Sequence, residues 1–302
     1  MDMDTRLLRC FTAVAQEGDL ARAADRLFLS VPVLTRQLRR LETQLGAELF
    51  TRSRAGMALT DAGAALAATA PAVLDAWAAA LCSTRGAAAR ADRVLRVGFV
   101  TDGAEGLGRR SVAEFARRRP GWRVRLTQAA PDDPTGGLAA GTVDAALLRL
   151  PFPGQEGLDV EVLLTEPRRV ALPAGHRLAA YEEVDFAELL DEPFVAAPPE
   201  SGWWRDYWLA ADERDGRPAK VGAVARTVEE WLTAIADGEG VSLASAATAR
   251  ACRRPGVVSR PVRGVSPARV GVAHAPGAQV PQEVRDFVQA CLAARDEPEV
   301  GK

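Results

Sequence analysis

Between Leu20 and Thr60 two helical patterns are joined by a very short break, and this juxtaposition constrains the fold more than any other feature of the chain. Leu20, Ala23, Ala24 and Leu27 outline a short helix. Small residues at 23 and 24 let another helix approach closely, as a helix-turn-helix requires. After the break, Ser30 is a favourable N-cap for a longer helix, and Pro32 is tolerated in the first turn, where its missing N–H would have had no partner. On a helical wheel Leu34, Leu38, Leu41 and Leu45 fall within one arc, while Pro32, Thr35, Arg36, Arg39, Arg40 and Thr43 fall opposite. The leucines are expected to bury and the other set to face outward, with Thr35 and Arg36 placed for base edges and Arg39 and Arg40 for phosphates. An ordinary solvated charged face is the alternative.

The flanking sequence supports a DNA reader. Leu7, Leu8, Phe11 and Val14 recur at helical spacing and predict a first helix ending near Gly18. After the arginine-rich helix, Glu48 to Thr60 reads as two short extended pieces around Gly56, a wing hairpin with Arg52 and Arg54 at its tip. A net charge of only −2 means that any DNA affinity comes from local placement of charge. Lysine occurs only at Lys220 and Lys302, so nearly every cation is a planar guanidinium, suited to phosphate forks and guanine edges. A general bias towards arginine and alanine would produce the same count.

From Asp61 to about Arg90 the chain is alanine-rich, with Leu66, Val73, Leu74, Trp77 and Leu81 forming one apolar seam that wants a partner. Pro71 removes a hydrogen bond inside this helix and is expected to kink or break it near 67–71. Beyond Arg93 the pattern changes to strand-length apolar runs alternating with helices, at 94–100, 124–127, 145–148, 160–164, 170–172, 194–196, 241–244 and 270–273. The overall fold class is therefore α/β, with mainly parallel sheets expected in this half.

The pattern of Leu7, Phe11, Val14, Gly18, Ala23-Ala24, Leu27, Ser30, Pro32, Leu34, Leu41-Glu42, Leu45-Gly46, Leu49-Phe50, Arg52, Leu59-Thr60 and Gly63 resembles the amino-terminal domain of LysR-type transcriptional regulators. The resemblance implies a winged helix-turn-helix DNA-binding domain over 1–60, with the helix-turn-helix at 20–39. It implies a linker and dimerisation helix over 61–92. It further implies a periplasmic-binding-protein-like effector domain over 93–300, split into a first subdomain (93–166 and 268–300) and a second (167–267). The resemblance puts Ser30, Pro32, Thr35 and Arg36 at the DNA, and with the residues read from the helix face and the wing the candidate DNA-binding set is Arg22, Ser30, Val31, Pro32, Thr35, Arg36, Arg39, Arg40, Arg52 and Arg54. Its effector-binding positions fall on Thr101, Asp102, Ser201, Gly202 and Thr227, each of which is equally well read as a simple cap or turn residue. Gly141-Thr142-Val143-Asp144 and the turn containing His176 also match. One position departs: the family usually has glutamine after the capping serine, where this chain has Val31, so the preferred half-site is expected to differ. Asp102 would repel a carboxylate, and the cluster Trp203, Trp204, Tyr207 and Trp208 beside Ser201 fits either a bulky effector or an aromatic core.

The resemblance implies promoter DNA and a small-molecule effector as partners, and a homodimer through the linker helix that assembles further into a tetramer. A constitutive regulator with a closed cleft, or a cytoplasmic small-molecule-binding protein, are the alternatives. No catalytic constellation or phosphate loop appears, so neither an enzyme nor a cofactor is expected. Cys10, Cys82, Cys252 and Cys291 are widely spaced, which argues against a zinc site or disulfide framework. The acidic start without a secretory leader and the lack of any apolar run of membrane-spanning length make a cytoplasmic location the expectation, with no membrane partner.

Overall fold

A computed structural model describes residues 4–27, 29–53, 56–100, 106–277 and 280–295, with Arg52, Ser53 and Cys82 described by backbone alone. The chain divides into two compact units, Met1–Ser83 and Thr84–Lys302.

In the first unit, α1 (Thr5–Glu17), α2 (Leu20–Arg26) and α3 (Val31–Leu45) precede a hairpin of β1 (Phe50–Ser53) and β2 (Gly56–Leu59) and the start of α4 (Asp61–Ala91). Each helix begins and ends on local chemistry. The Asp4 and Asp19 carboxylates accept backbone N–H groups at the starts of α1 and α2, and Gly18 and Gly46 close α1 and α3 in the left-handed conformation. Leu7, Phe11, Val14, Ala23, Ala24, Leu34, Leu38, Leu41, Leu49 and Phe50 form one buried core. Leu34 and Leu41 are fully buried and Leu38 nearly so, as the leucine arc of α3 predicts. The hairpin is antiparallel from Phe50↔Leu59 to Ser53↔Gly56 and is tied to α1 by a bond from the Met57 N–H to the Gly18 carbonyl.

Helix α4 runs unbroken through Pro71, so of the expected kink or break the break is absent. Pro71 faces solvent, whereas Ala70 is buried and Leu66, Ala67 and Leu74 pack on the core of the first unit. The apolar seam therefore divides. Leu66 and Leu74 serve their own reader, while Val73 and Trp77 remain 51% and 45% exposed. By length and composition α4 is also apolar enough to cross a bilayer, contrary to the expectation that no such run exists. Much of that apolarity is alanine, whose small side chain contributes little on burial.

The second unit contains, in chain order, β3 (Val94–Phe99), α5 (Leu107–Arg118), β4 (Arg123–Gln128), β5 (Ala145–Leu150), β6 (Asp159–Glu166), β7 (Arg168–Pro173), β8 (Val184–Asp185), β9 (Phe194–Ala196), α6 (Trp203–Leu209), β10 (Val221–Val224), α7 (Val228–Ala236), β11 (Ser242–Ser245), α8 (Ala246–Ala251), β12 (Val257–Arg263), β13 (Ala268–His274) and α9 (Gln282–Arg295). One sheet has the order β4-β3-β5-β13-β6, a second β11-β7-β12-β8, and β9 pairs with β10. The sheets are mixed, which corrects the expectation of mainly parallel ones: β13 runs antiparallel to β5 and β6, and β7 antiparallel to β11 and β12. Parallel pairing needs a long crossover, and α5 supplies one between β3 and β4. The chain instead passes from β6 to β7 and from β12 to β13 through short links, leaving the first sheet and later returning to it.

Candidate nucleic-acid interface and ligand cleft

The outward side of α3 holds most of the DNA-contact positions expected from sequence. Ser30 occupies the N-cap in an extended conformation, but its side chain makes no capping hydrogen bond. Val31 is 39% exposed and Pro32 is exposed beside it. One turn on, the Thr35 hydroxyl donates to the Val31 carbonyl at 2.8 Å, and the Thr43 hydroxyl donates to the Arg39 carbonyl at 2.8 Å. Arg36, Arg39 and Arg40 are exposed, and among the described residues none of them makes an ion pair or a side-chain hydrogen bond. These three positive charges stand opposite a buried leucine stripe, and the nearest compensating influence among the described residues is the through-space attraction between Arg40 and the Asp4 carboxylate.

Arg22 behaves differently. Its guanidinium donates to the Glu17 carbonyl and lies 3.9 Å from the Glu17 carboxylate, while Arg26 is 3.0 Å from the same carboxylate. Both are tied to the end of α1 and help fix the entry to α2. The Asp19 carboxyl is held below its usual range by the backbone N–H of Arg22 first and that of Ala21 next, despite some opposing desolvation. Arg54 lies outside the described residues, and Arg52 is placed in β1 by its backbone alone.

The joint behind this surface is close. The Thr60 N–H donates to the Leu49 carbonyl at 3.0 Å, the Thr60 hydroxyl donates to the Glu48 carbonyl at 2.7 Å, and the Gly63 N–H donates to the Thr60 hydroxyl at 3.0 Å. A side chain on Gly63 would place its Cβ 2.1 Å from the Leu49 carbonyl oxygen, so only glycine lets α4 sit here. The Glu42 carboxylate accepts the Leu49 N–H at 2.9 Å and thereby links α3 to the same joint.

In the second unit, Thr101 and Asp102 lie outside the described residues. The other three expected ligand positions come together because β9 and β10 are parallel and end at the same edge. Ser201 is buried in a short turn of helix after β9, Gly202 follows with φ 48°, and Thr227 caps α7 after β10, its hydroxyl accepting the Glu230 N–H at 3.1 Å. An Arg226–Glu200 ion pair at 3.6 Å bridges the two loops. Thr227 thus performs the capping role that was its alternative reading.

The aromatic residues of α6 form a packed cluster. The Trp203 ring lies 6.2 Å from Phe152 edge-on, and Trp203 and Trp204 pack against the core containing Val100, Leu148 and Leu150 of the first sheet. The Trp203 indole N–H donates to the Pro151 carbonyl at 3.3 Å and the Tyr207 hydroxyl to the Leu150 carbonyl at 3.4 Å. Beneath them is a group that the sequence did not reveal. Arg149 and Glu166, both over 90% buried, pair at 3.0 Å. The second Glu166 oxygen accepts the Ala247 N–H at 2.9 Å. Arg168 donates to the Tyr207 carbonyl at 2.8 Å and stacks 4.3 Å over that ring. Arg149, Glu166, Tyr207 and Ala247 lie on separate elements and no periodicity links them, so the sheet order brings them together. His176, expected to be structural, accepts the Leu178 N–H at 3.2 Å and lies 3.4 Å from Glu192.

Comparison with known proteins agrees with this geometry. Residues 5–64 match the family model described as bacterial regulatory helix-turn-helix protein, lysR family, and residues 88–296 match the LysR substrate binding domain. The HTH-type transcriptional regulator TfdS of Cupriavidus pinatubonensis is 32% identical over 256 residues, covering 84% of this chain and 85% of the relative. The regulator BenM of Acinetobacter baylyi is 29% identical, covering 82% of this chain and 81% of the relative. Among solved structures, a full-length OxyR variant from Pseudomonas aeruginosa matches at 25% identity and TM-score 0.53, covering 96% of this chain and 100% of the other. CbnR complexed with its target DNA matches at 24% identity and TM-score 0.52, covering 97% and 100%, and at that identity the likeness speaks for the fold.

Proposed function

Because the chain belongs to the LysR family of transcriptional regulators, we propose that α3 enters the major groove of promoter DNA with its N-terminal turns at the bases and its middle at the phosphates. The protein is a DNA-binding transcription factor of LysR type with an effector-binding domain, and such regulators bind promoter DNA as oligomers. Members of the family are regulators rather than enzymes, and we read this chain as non-catalytic and cytoplasmic. In our reading residues 1–60 form the reader, 61–92 the dimerisation helix and 93–300 the effector domain. Pro32, Thr35 and Arg36 face base edges, Ser30, Arg39 and Arg40 hold phosphates, and Arg52 and Arg54 of the wing grip the backbone or minor groove. Arg22 acts through the α1–α2 corner as a positioning residue. The exposed Val73 and Trp77 of α4 meet a second copy, so that two readers address a two-fold-related site, and dimers pair into a tetramer.

The observation that carries this reading is the set of three exposed guanidiniums of α3 that form no ion pair among the described residues, opposite its buried leucines. A gel shift with DNA flanking the coding region tests it. Specific binding over random duplex is expected, with Arg36→Ala weakening it about tenfold or more, the value of one good base contact. Equal binding to random duplex, or no effect of Arg36→Ala, would overturn it.

Thr101, Asp102, Ser201, Gly202 and Thr227 are proposed to line the effector cleft, where strand ends and helix starts offer backbone N–H groups. One observation favours a second reading, a constitutive regulator: Trp203 and Trp204 pack against the first sheet's core beside Val100. A thermal-shift screen of metabolites separates the two, since an effector-responsive protein gains stability from a ligand and a closed one does not.

A further inference from the structure

The first turn of α3 presents an unusually apolar surface for a part of the reader that meets base edges. Val31 is 39% exposed although it is the first residue of the helix, and exposed Pro32 beside it has no N–H to offer. One turn on, the Thr35 hydroxyl spends its hydrogen on the Val31 carbonyl at 2.8 Å, so towards a base it can only accept. Apart from the Ser30 hydroxyl, assigned above to a phosphate, the groups on offer along this flank are valine methyls and an acceptor-only hydroxyl, and the strong donors begin at Arg36. In the major groove the one apolar base feature is the C5-methyl of thymine, and the partner adenine presents an N6 amino donor beside it. Valine methyls and a hydroxyl acceptor match an A·T pair in both respects, whereas a G·C pair offers the cytosine amino donor but no methyl, so the valine contact carries the discrimination.

We infer that Val31 is a specificity-determining residue that reads a thymine methyl in each half-site, with the Thr35 hydroxyl facing the adenine amino group of that pair or its neighbour. The inference rests on α3 entering the major groove, as proposed above. Unlike the arginine contacts, this contact depends on no charge, so it contributes discrimination that salt does not screen.

The experiment uses the full chain and a duplex selected from a random pool by the wild-type protein. Each thymine of the selected half-site is replaced in turn by uracil, which removes the methyl and leaves base pairing intact. One symmetric position is expected to lose affinity about fourfold per half-site, the effect of burying one methyl group, with the same loss at low and high salt. In Val31→Ala, whose surface position leaves the core untouched, that thymine-to-uracil penalty shrinks to about onefold while preference for the selected duplex over random DNA persists. The inference is overturned if no thymine shows a penalty in a duplex that is bound specifically, or if Val31→Ala keeps the full penalty. A wild type that selects no sequence at all overturns the major-groove reading itself, an outcome distinct from both.

Discussion

Replacing Gly63 by alanine separates the structural account from a propensity argument because the two predict opposite signs. Gly63 lies inside α4, where alanine is favoured over glycine by about 1 kcal/mol, so propensity alone predicts stabilisation. The structure places a Cβ at this position 2.1 Å from the Leu49 oxygen and 3.0 Å from the Leu59 side chain. An ordinary carbon–oxygen contact is about 3.3 Å or longer, so α4 must retreat by about 1 Å from a nearly fully buried residue. That shift disrupts the Thr60 N–H bond to Leu49 and the Gly63 N–H bond to the Thr60 hydroxyl, about 1 kcal/mol each, and adds overpacking of about 1–3 kcal/mol. Set against the propensity gain, the net is destabilisation of about 2–4 kcal/mol. The control is Gly86→Ala in the same helix, where an added Cβ meets only side-chain ends at 3.3 Å and beyond, so the propensity gain is retained. Urea unfolding of both variants should give a lower midpoint for Gly63→Ala and an unchanged or higher one for Gly86→Ala. A Gly63→Ala protein at least as stable as wild type would refute the reasoning.

Arg39→Ala and Arg40→Ala should each lower the slope of log affinity against log salt by about 0.9 without changing the ratio of specific to random binding; a changed ratio would mean base contact. Glu166→Gln removes the charge paired with Arg149 in the interior, and should destabilise the second unit by about 3–5 kcal/mol in chemical unfolding. A change of less than about 1 kcal/mol would mean that the pair is solvated. Burial pushes the Cys291 thiol up to about 12, and the nearby Ser111 hydroxyl, which acts the other way, does not offset it. It therefore stays protonated in the folded protein up to strongly alkaline pH, and iodoacetamide at pH 8 should label it only as urea unfolds the chain. Rapid labelling in native buffer would contradict that.

The reader was legible because its information is local. Leucines three and four apart in α3 have to share a face, and glycines at 18 and 46 stop helices whatever surrounds them. The strands predicted at 94–100, 145–148 and 194–196 are continuous apolar runs, and they appear as β3, β5 and β9. Missing from the sequence reading were β8, β10 and β12. Strand β10 is a Val-Gly-Ala-Val segment with exposed valines, and β12 carries Arg260 and Pro261 amid half-buried positions, so neither shows a clean period of two. Strand direction was illegible for a different reason. Alternating strands and helices imply parallel pairing only if each helix is a crossover within one sheet, and here the chain leaves one sheet at Pro167 and returns before Ala268. The Arg149–Glu166 pair depends on that exchange, since β13 must lie between β5 and β6 before the two can share one interior.

Pro71 shows how a local rule can be correct and still lose. A proline inside a helix costs about 3 kcal/mol, and the sequence offered no visible compensation. In the structure the residues on either side of it in space are committed to the reader: Ala70 is buried, and Leu66, Ala67 and Leu74 pack on the core built from α1 to α3. Full burial of a leucine is worth about 1.5–3 kcal/mol, so the partly buried Leu66 and Leu74 together with Ala70 recover roughly what the proline removes. Breaking the helix at 67–71 would sacrifice the Ala70 and Leu74 contacts without restoring a hydrogen bond, because proline has no N–H in any conformation. The continuous helix is therefore the better of the two arrangements. It also carries Val73 and Trp77 past the reader on the uncovered side of α4, the placement a second copy would need.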